Sequence, residues 1–193
     1  MRLSSQAPTN FTPANLGSAI VGGIEFEVRK NLSFISEKLQ DLSFNINTSI
    51  IESRLTYGED EEELRTNNLK DGQSLGTYRA LQGQAPFLIN SGINYANPEK
   101  GIQTGIFYNV QGRTLEVVGT GFFPDVYTIP FHSLNFNFNK TLGKDRRSTL
   151  NVRVNNILGD IKESMIQPFN ANELHFRMRN PGRTISMGYK LRF

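Results

Sequence analysis

Thr184-Ile185-Ser186-Met187-Gly188-Tyr189-Lys190-Leu191-Arg192-Phe193 closes the chain, and its reading decides the fold. Ile185, Met187, Tyr189, Leu191 and Phe193 alternate with Thr184, Ser186, Gly188, Lys190 and Arg192. A β-strand sends successive side chains to opposite faces, so one face of this segment is apolar and the other polar. The same alternation recurs upstream. Leu134, Phe136 and Phe138 interleave with Ser133, Asn135, Asn137 and Asn139, and Leu150, Val152 and Val154 with Asn151, Arg153 and Asn155. Leu42, Phe44 and Ile46 interleave with Ser43, Asn45 and Asn47, while Ile24, Phe26 and Val28 oppose Glu25, Glu27 and Arg29.

These patterns predict an all-β, antiparallel up-and-down meander of about seven strands, at 17–36, 41–57, 86–96, 102–118, 131–142, 148–158 and 175–193. Ser36-Glu37-Lys38, Asn97-Pro98-Glu99-Lys100-Gly101 and Gly143-Lys144-Asp145-Arg146 read as short turns. Long loops are expected at 58–85, 119–130 and 159–174, with one helical turn at most, at Glu61–Leu64. Short turns alternating strictly with long loops, and strands near the about 9–11 residues that cross a bilayer, fit a transmembrane barrel. The polar faces, rich in Asn, Arg and Lys, suit the interior of a wide barrel and not the apolar core of a small one.

Composition permits this. The 193 residues are 37% hydrophobic and 20% charged, which suits a single folded unit. A mean hydropathy of −0.39 does not argue against a barrel, whose strands turn only every second residue to lipid. A net charge of +3 gives no concentrated basic face for nucleic acid. The absence of Cys excludes disulfides and thiol chemistry. Met1-Arg2-Leu3-Ser4-Ser5 lacks the apolar stretch and cleavage site of a signal peptide. Since an outer-membrane protein must be exported, a processed or truncated start is expected, with truncation favoured.

No catalytic or cofactor motif is read. Glu59-Asp60-Glu61-Glu62-Glu63 is either a solvated loop or a cation site, and it lacks EF-hand spacing. His132 and His175 stand far apart, without partners at metal-ligand spacing. Asn135, Asn137, Asn139, Asn151 and Asn155 form a polar stripe that either lines a lumen or bonds internally. Tyr57, Tyr78, Phe87, Tyr95, Tyr108, Phe122, Phe123, Tyr127, Phe131, Tyr189 and Phe193 fall mostly at strand ends or in loops, as aromatic girdles do; core packing is the alternative, and Phe136 and Phe138 sit mid-strand.

Ser186, Gly188, Leu191 and Phe193 resemble the C-terminal signal of outer-membrane proteins, which implies recognition by the barrel-assembly machinery. Gly23–Glu27, Arg79–Asn90, Tyr108–Arg113, Asn155-Asn156-Ile157-Leu158-Gly159 and Pro181-Gly182-Arg183-Thr184 resemble the last third of TonB-dependent receptors, particularly those of Bacteroidota. The resemblance implies that residues 1–193 are the C-terminal portion of a larger barrel in the cell outer membrane, in contact with its lipid. It further implies import of a large scarce solute (siderophore, glycan or peptide), with plug and TonB engaged only in the intact receptor. The alternative is a small self-contained β-protein, soluble or in a membrane, that binds a ligand without catalysis. It needs an eighth strand from residues 1–16 or from the acidic loop.

Overall fold

The computed structural model describes residues 18–119 and 122–193. Residues 1–16, one place for the alternative's eighth strand, lie outside that range. The described residues form β1 (Ala19–Asn31), β2 (Leu42–Thr56), α1 (Glu59–Asn67), β3 (Tyr78–Arg79), β4 (Phe87–Asn97), β5 (Ile102–Gln111), β6 (Thr114–Val117), β7 (Val126–Thr128), β8 (Ser133–Leu142), β9 (Ser148–Asn155), β10 (Lys162–Ile166), β11 (Leu174–Arg179) and β12 (Thr184–Leu191).

The described residues are mostly antiparallel β-strand, with α1 the one α-helix among them. The long strands lie in the order β1-β2-β4-β5-β8-β9-β12, each beside its sequence neighbour, with β3 adding to β2. Among the described residues this sheet does not close on itself. The expected seven strands correspond to these seven, but the strand count is corrected to twelve. The segment expected at 102–118 breaks at Gly112 and Arg113 into β5 and β6, and the segment at 175–193 breaks near Pro181 into β11 and β12. The three long connections hold β3, β6, β7, β10 and β11, with β11-β10-β7-β6 forming a separate four-stranded sheet. Two 3-10 turns, Leu32–Phe34 and Glu37–Leu39, end the first strand earlier than expected.

Register sorts the side chains. Phe44, Ile93, Ile106, Phe136, Val154 and Ile185 stand side by side across six strands. The adjacent row on that face is Leu42, Tyr95, Thr104, Phe138, Val152 and Met187. The opposite face carries Asn31, Ser43, Asn94, Gly105, Asn137, Arg153 and Ser186 in one row. Among the described residues no second layer covers the apolar rows: Ile93 is 53% exposed, Ile106 50% and Met187 76%. Two-layer domains hide such faces against protein.

The tightly buried side chains lie instead at the long-connection end. Leu115, Val126 and Ser164 of the four-stranded sheet are fully buried, and Leu55, Ala85 and Val110 are buried with them. Here the connections fold into a cap on one end of the sheet. The other end carries the ten-residue connection 32–41 with its two 3-10 turns, in place of the short turn expected at Ser36-Glu37-Lys38, and two tight turns, where Gly101 and Gly143 take positive φ, as L-residues with a Cβ rarely do.

Candidate functional site

Two regions concentrate polar chemistry: the Asn-rich face of the sheet and the cap beyond it. On the face, amides meet across strands. Asn151 Nδ2 donates to Asn139 Oδ1 at 2.5 Å, Asn109 Nδ2 to Asn90 Oδ1 at 2.6 Å, and Asn94 Nδ2 to Asn45 Oδ1 at 3.0 Å. Each pair fixes one amide edge and leaves the rest of both side chains for other partners.

All five residues of the expected stripe share this face. Asn139 and Asn151 bond each other. Asn135 donates to Ser133 Oγ and accepts from the Asn156 amide. Asn155 donates to Thr184 Oγ1 at 3.1 Å. Asn137 stands opposite Arg153, and its backbone carbonyl accepts from Thr104 Oγ1. The stripe is therefore partly self-satisfied. Phe107 also lies on this face, where a Cβ on Gly92 or Gly105 would fall 2.7 and 2.8 Å from its ring. The ring lies over the space those glycines leave, covering backbone that would otherwise be bare.

Ser186 and Gly188 point to the polar face, opposite Arg153 and Asn151, and nothing lies within 4 Å of a Cβ built on Gly188. Leu191, opposite Ser148, shares the apolar face, and Phe193 is fully exposed. Tyr189 donates to or accepts from Ser148 Oγ at 2.8 Å, at the tight-turn end with Tyr95. Tyr108 meets His132 Nδ1 at 2.6 Å at the other end. Tyr57 and Tyr127 belong to the cap.

The acidic run is neither a plain loop nor one helical turn. It forms the nine-residue helix α1, with Glu59, Asp60, Glu61 and Glu62 in its first turn and Arg65 in its last, as the helix dipole favours. That charge order was the available signal. Glu61 is buried, accepting from Arg79 Nε at 2.7 Å and from Arg65 Nε at 3.1 Å. Arg65 Nη2 reaches Asp125 Oδ1 at 2.8 Å, joining two long connections. Burial works against the Arg65 charge, but the hydrogen bond and charge of Asp125, with Glu61, outweigh it and leave its pKa raised. Burial pushes the Tyr57 and Tyr127 hydroxyls up as well, chiefly by disfavouring the phenolate. Among the described residues no three acidic or His side chains converge on a cation position.

Sequence reasoning missed two further hubs. Glu116 on β6 accepts from Thr128 Oγ1 on β7, Ser164 Oγ on β10 and Arg177 Nη2 on β11, lacing the four-stranded sheet together. Buried Asn156, at φ 52°, donates to the carbonyls of Asp160 and Gly182, both at 3.0 Å, and accepts from the Asp160 amide. His132 and His175 both lie at this end but on different elements, before β8 and within β11. Comparisons with protein-family models, curated proteins and solved structures gave no match for this chain.

Proposed function

We propose that this chain is wall: the C-terminal strands of an outer-membrane barrel of the TonB-dependent receptor type, which imports a large scarce solute such as a siderophore, glycan or peptide. One observation carries the reading. A single-layer, seven-stranded meander shows a continuous apolar face to its surroundings and an amide-lined face on its other side. In water that arrangement is inverted. In a bilayer the apolar rows meet lipid and the amides face a wet or plugged lumen.

Dimensions and asymmetry agree. A ten-residue strand such as β5 or β8, rising about 3.4 Å per residue and tilted about 45°, covers roughly 24 Å, close to the apolar band of such barrels. The connections that carry β3, β6, β7, β10 and β11 gather at one end and the shorter connections at the other, matching external loops and periplasmic turns. The outer edges of β1 and β12 present unpaired backbone groups. In lipid each would cost several kcal/mol, so the reading requires further strands to pair with them. It assigns the chain no catalytic step. Transport energy would come through plug and TonB in the intact receptor, and the last strand would be read by the assembly machinery.

The test is fractionation of cells that make the protein, blotted with an antibody against residues 58–85. The reading expects a urea-resistant outer-membrane band several times heavier than 21.8 kDa. A soluble band at 21.8 kDa would refute it.

A further inference from the structure

We propose that a pocket beneath the cap, on the amide face, binds the carboxylate of a hydroxyl-rich solute, the group shared by acidic sugars and hydroxycarboxylate iron chelates. The proposal rests on the wall reading above, since it places this face in the lumen. The pocket, about 290 Å³, lies between the loop-end halves of β4, β5 and β8 and the β7–β10 pair. Asn90, Asn109, Gln111 and Ser133 supply amides and a hydroxyl, and Lys162 supplies a cation beside Phe131. Among the described residues no acidic side chain lines it; Glu116 lies behind Thr128, from whose hydroxyl it accepts.

Three features point to an anion. Lys162 stands directly opposite Arg179 in the β10–β11 pair, so two cations share one face of that hairpin. Like charges so placed repel unless something neutralises them. Among the described residues neither makes an ion pair. Glu163, next to Lys162, stands opposite Met178 on the other face of the hairpin, and Asp160, two residues before Lys162, is already engaged, with one oxygen on the His132 amide and the other on the Ile161 amide. Lys162 lines the pocket and Arg179 stands behind it; within the pocket Asn109 Nδ2 donates to Asn90 Oδ1, which leaves the Asn90 amide donor and the Asn109 carbonyl acceptor without side-chain partners among the described residues. A donor and an acceptor side by side suit vicinal hydroxyls. The Lys162 ammonium lies 4.8 Å from the Phe131 ring centroid, which holds it in place without cancelling its charge.

The test is calorimetric titration of the intact protein, purified from outer membranes in detergent, with three probes. These are a galacturonate oligomer, ferric citrate, and a neutral galactose oligomer. One anionic probe should bind at least about tenfold tighter than the neutral one, and the tighter of the two identifies the source of the carboxylate. Lys162→Gln and Arg179→Gln should each weaken it by about fivefold, as a part-exposed charge contact does, and leave the neutral probe unchanged. Equal binding of all three, or no response to either substitution, would overturn the proposal while leaving a urea-resistant barrel intact. Release of the chain by urea would overturn the wall reading and this one together.

Discussion

Asn156 donates from Nδ2 to the carbonyl of Gly182 at 3.0 Å, clamping the exit of β9 to the entry of β12. Arg183 reinforces the clamp, donating to the carbonyls of Ile157 and Leu158 at 2.8 and 3.1 Å. Two separate sequence stretches, 155–159 and 181–184, thus form one structural unit. Asn is apt at 156, because its φ of 52° is one that few L-residues adopt. Asn156→Ala forfeits both the tolerated conformation and three buried side-chain hydrogen bonds, a loss of about 3 kcal/mol. Asn156→Gly restores only the conformation and should lose about 2 kcal/mol. Urea unfolding of the protein in lipid checks the order.

Glu61 neutralises the buried guanidinium of Arg79 and the part-buried one of Arg65. Glu61→Ala leaves both cations without it in a poorly hydrated place, at a cost of about 3–5 kcal/mol. Cleavage by trypsin in the 57–86 connection, at Arg65 or Lys70, should accelerate sharply, while the sheet remains in the membrane fraction.

The cap should loosen at alkaline pH. Tyr57 and Tyr127 have hydroxyls raised above their ordinary value near 10, first because burial disfavours the phenolate. A folded pKa above the unfolded one gives stability that is fully present below pH 10 and is lost as pH rises through the folded value. Tyr57→Phe should flatten part of that alkaline loss, read as proteolytic protection of the cap between pH 9 and about 12.

The two faces should respond oppositely to charge. Phe136→Arg, in the middle of the apolar row, should cost about 2–4 kcal/mol if that row meets lipid, and lower the amount assembled in the outer membrane. Asn137→Glu, one residue on and on the other face, opposite Arg153, should leave that amount unchanged. Equal losses would mean both faces are packed against protein.

Alternation made the seven long strands legible because each keeps its apolar and polar faces apart over eight or more residues. The cap was not legible for a physical reason. Its strands run from two to six residues, too short to establish a period, and its partners are distant: Glu116 meets Arg177, and Arg65 meets Asp125. The Asn stripe could be read as a face, but the pairing of Asn139 with Asn151 depends on register, which pattern alone does not supply. Lys162 and Arg179 are seventeen residues apart in sequence, and their apposition exists only once β10 and β11 pair.

The most direct test of the wall is cysteine scanning along β8, which the absence of native Cys makes clean. Single cysteines at Leu134, Asn135, Phe136, Asn137, Phe138 and Asn139 would be probed in intact outer membranes with a water-soluble and a lipid-soluble maleimide. The account predicts that 135, 137 and 139 react with the water-soluble reagent, while 134, 136 and 138 react only with the lipid-soluble one. Water-soluble labelling at 134, 136 and 138 would contradict it.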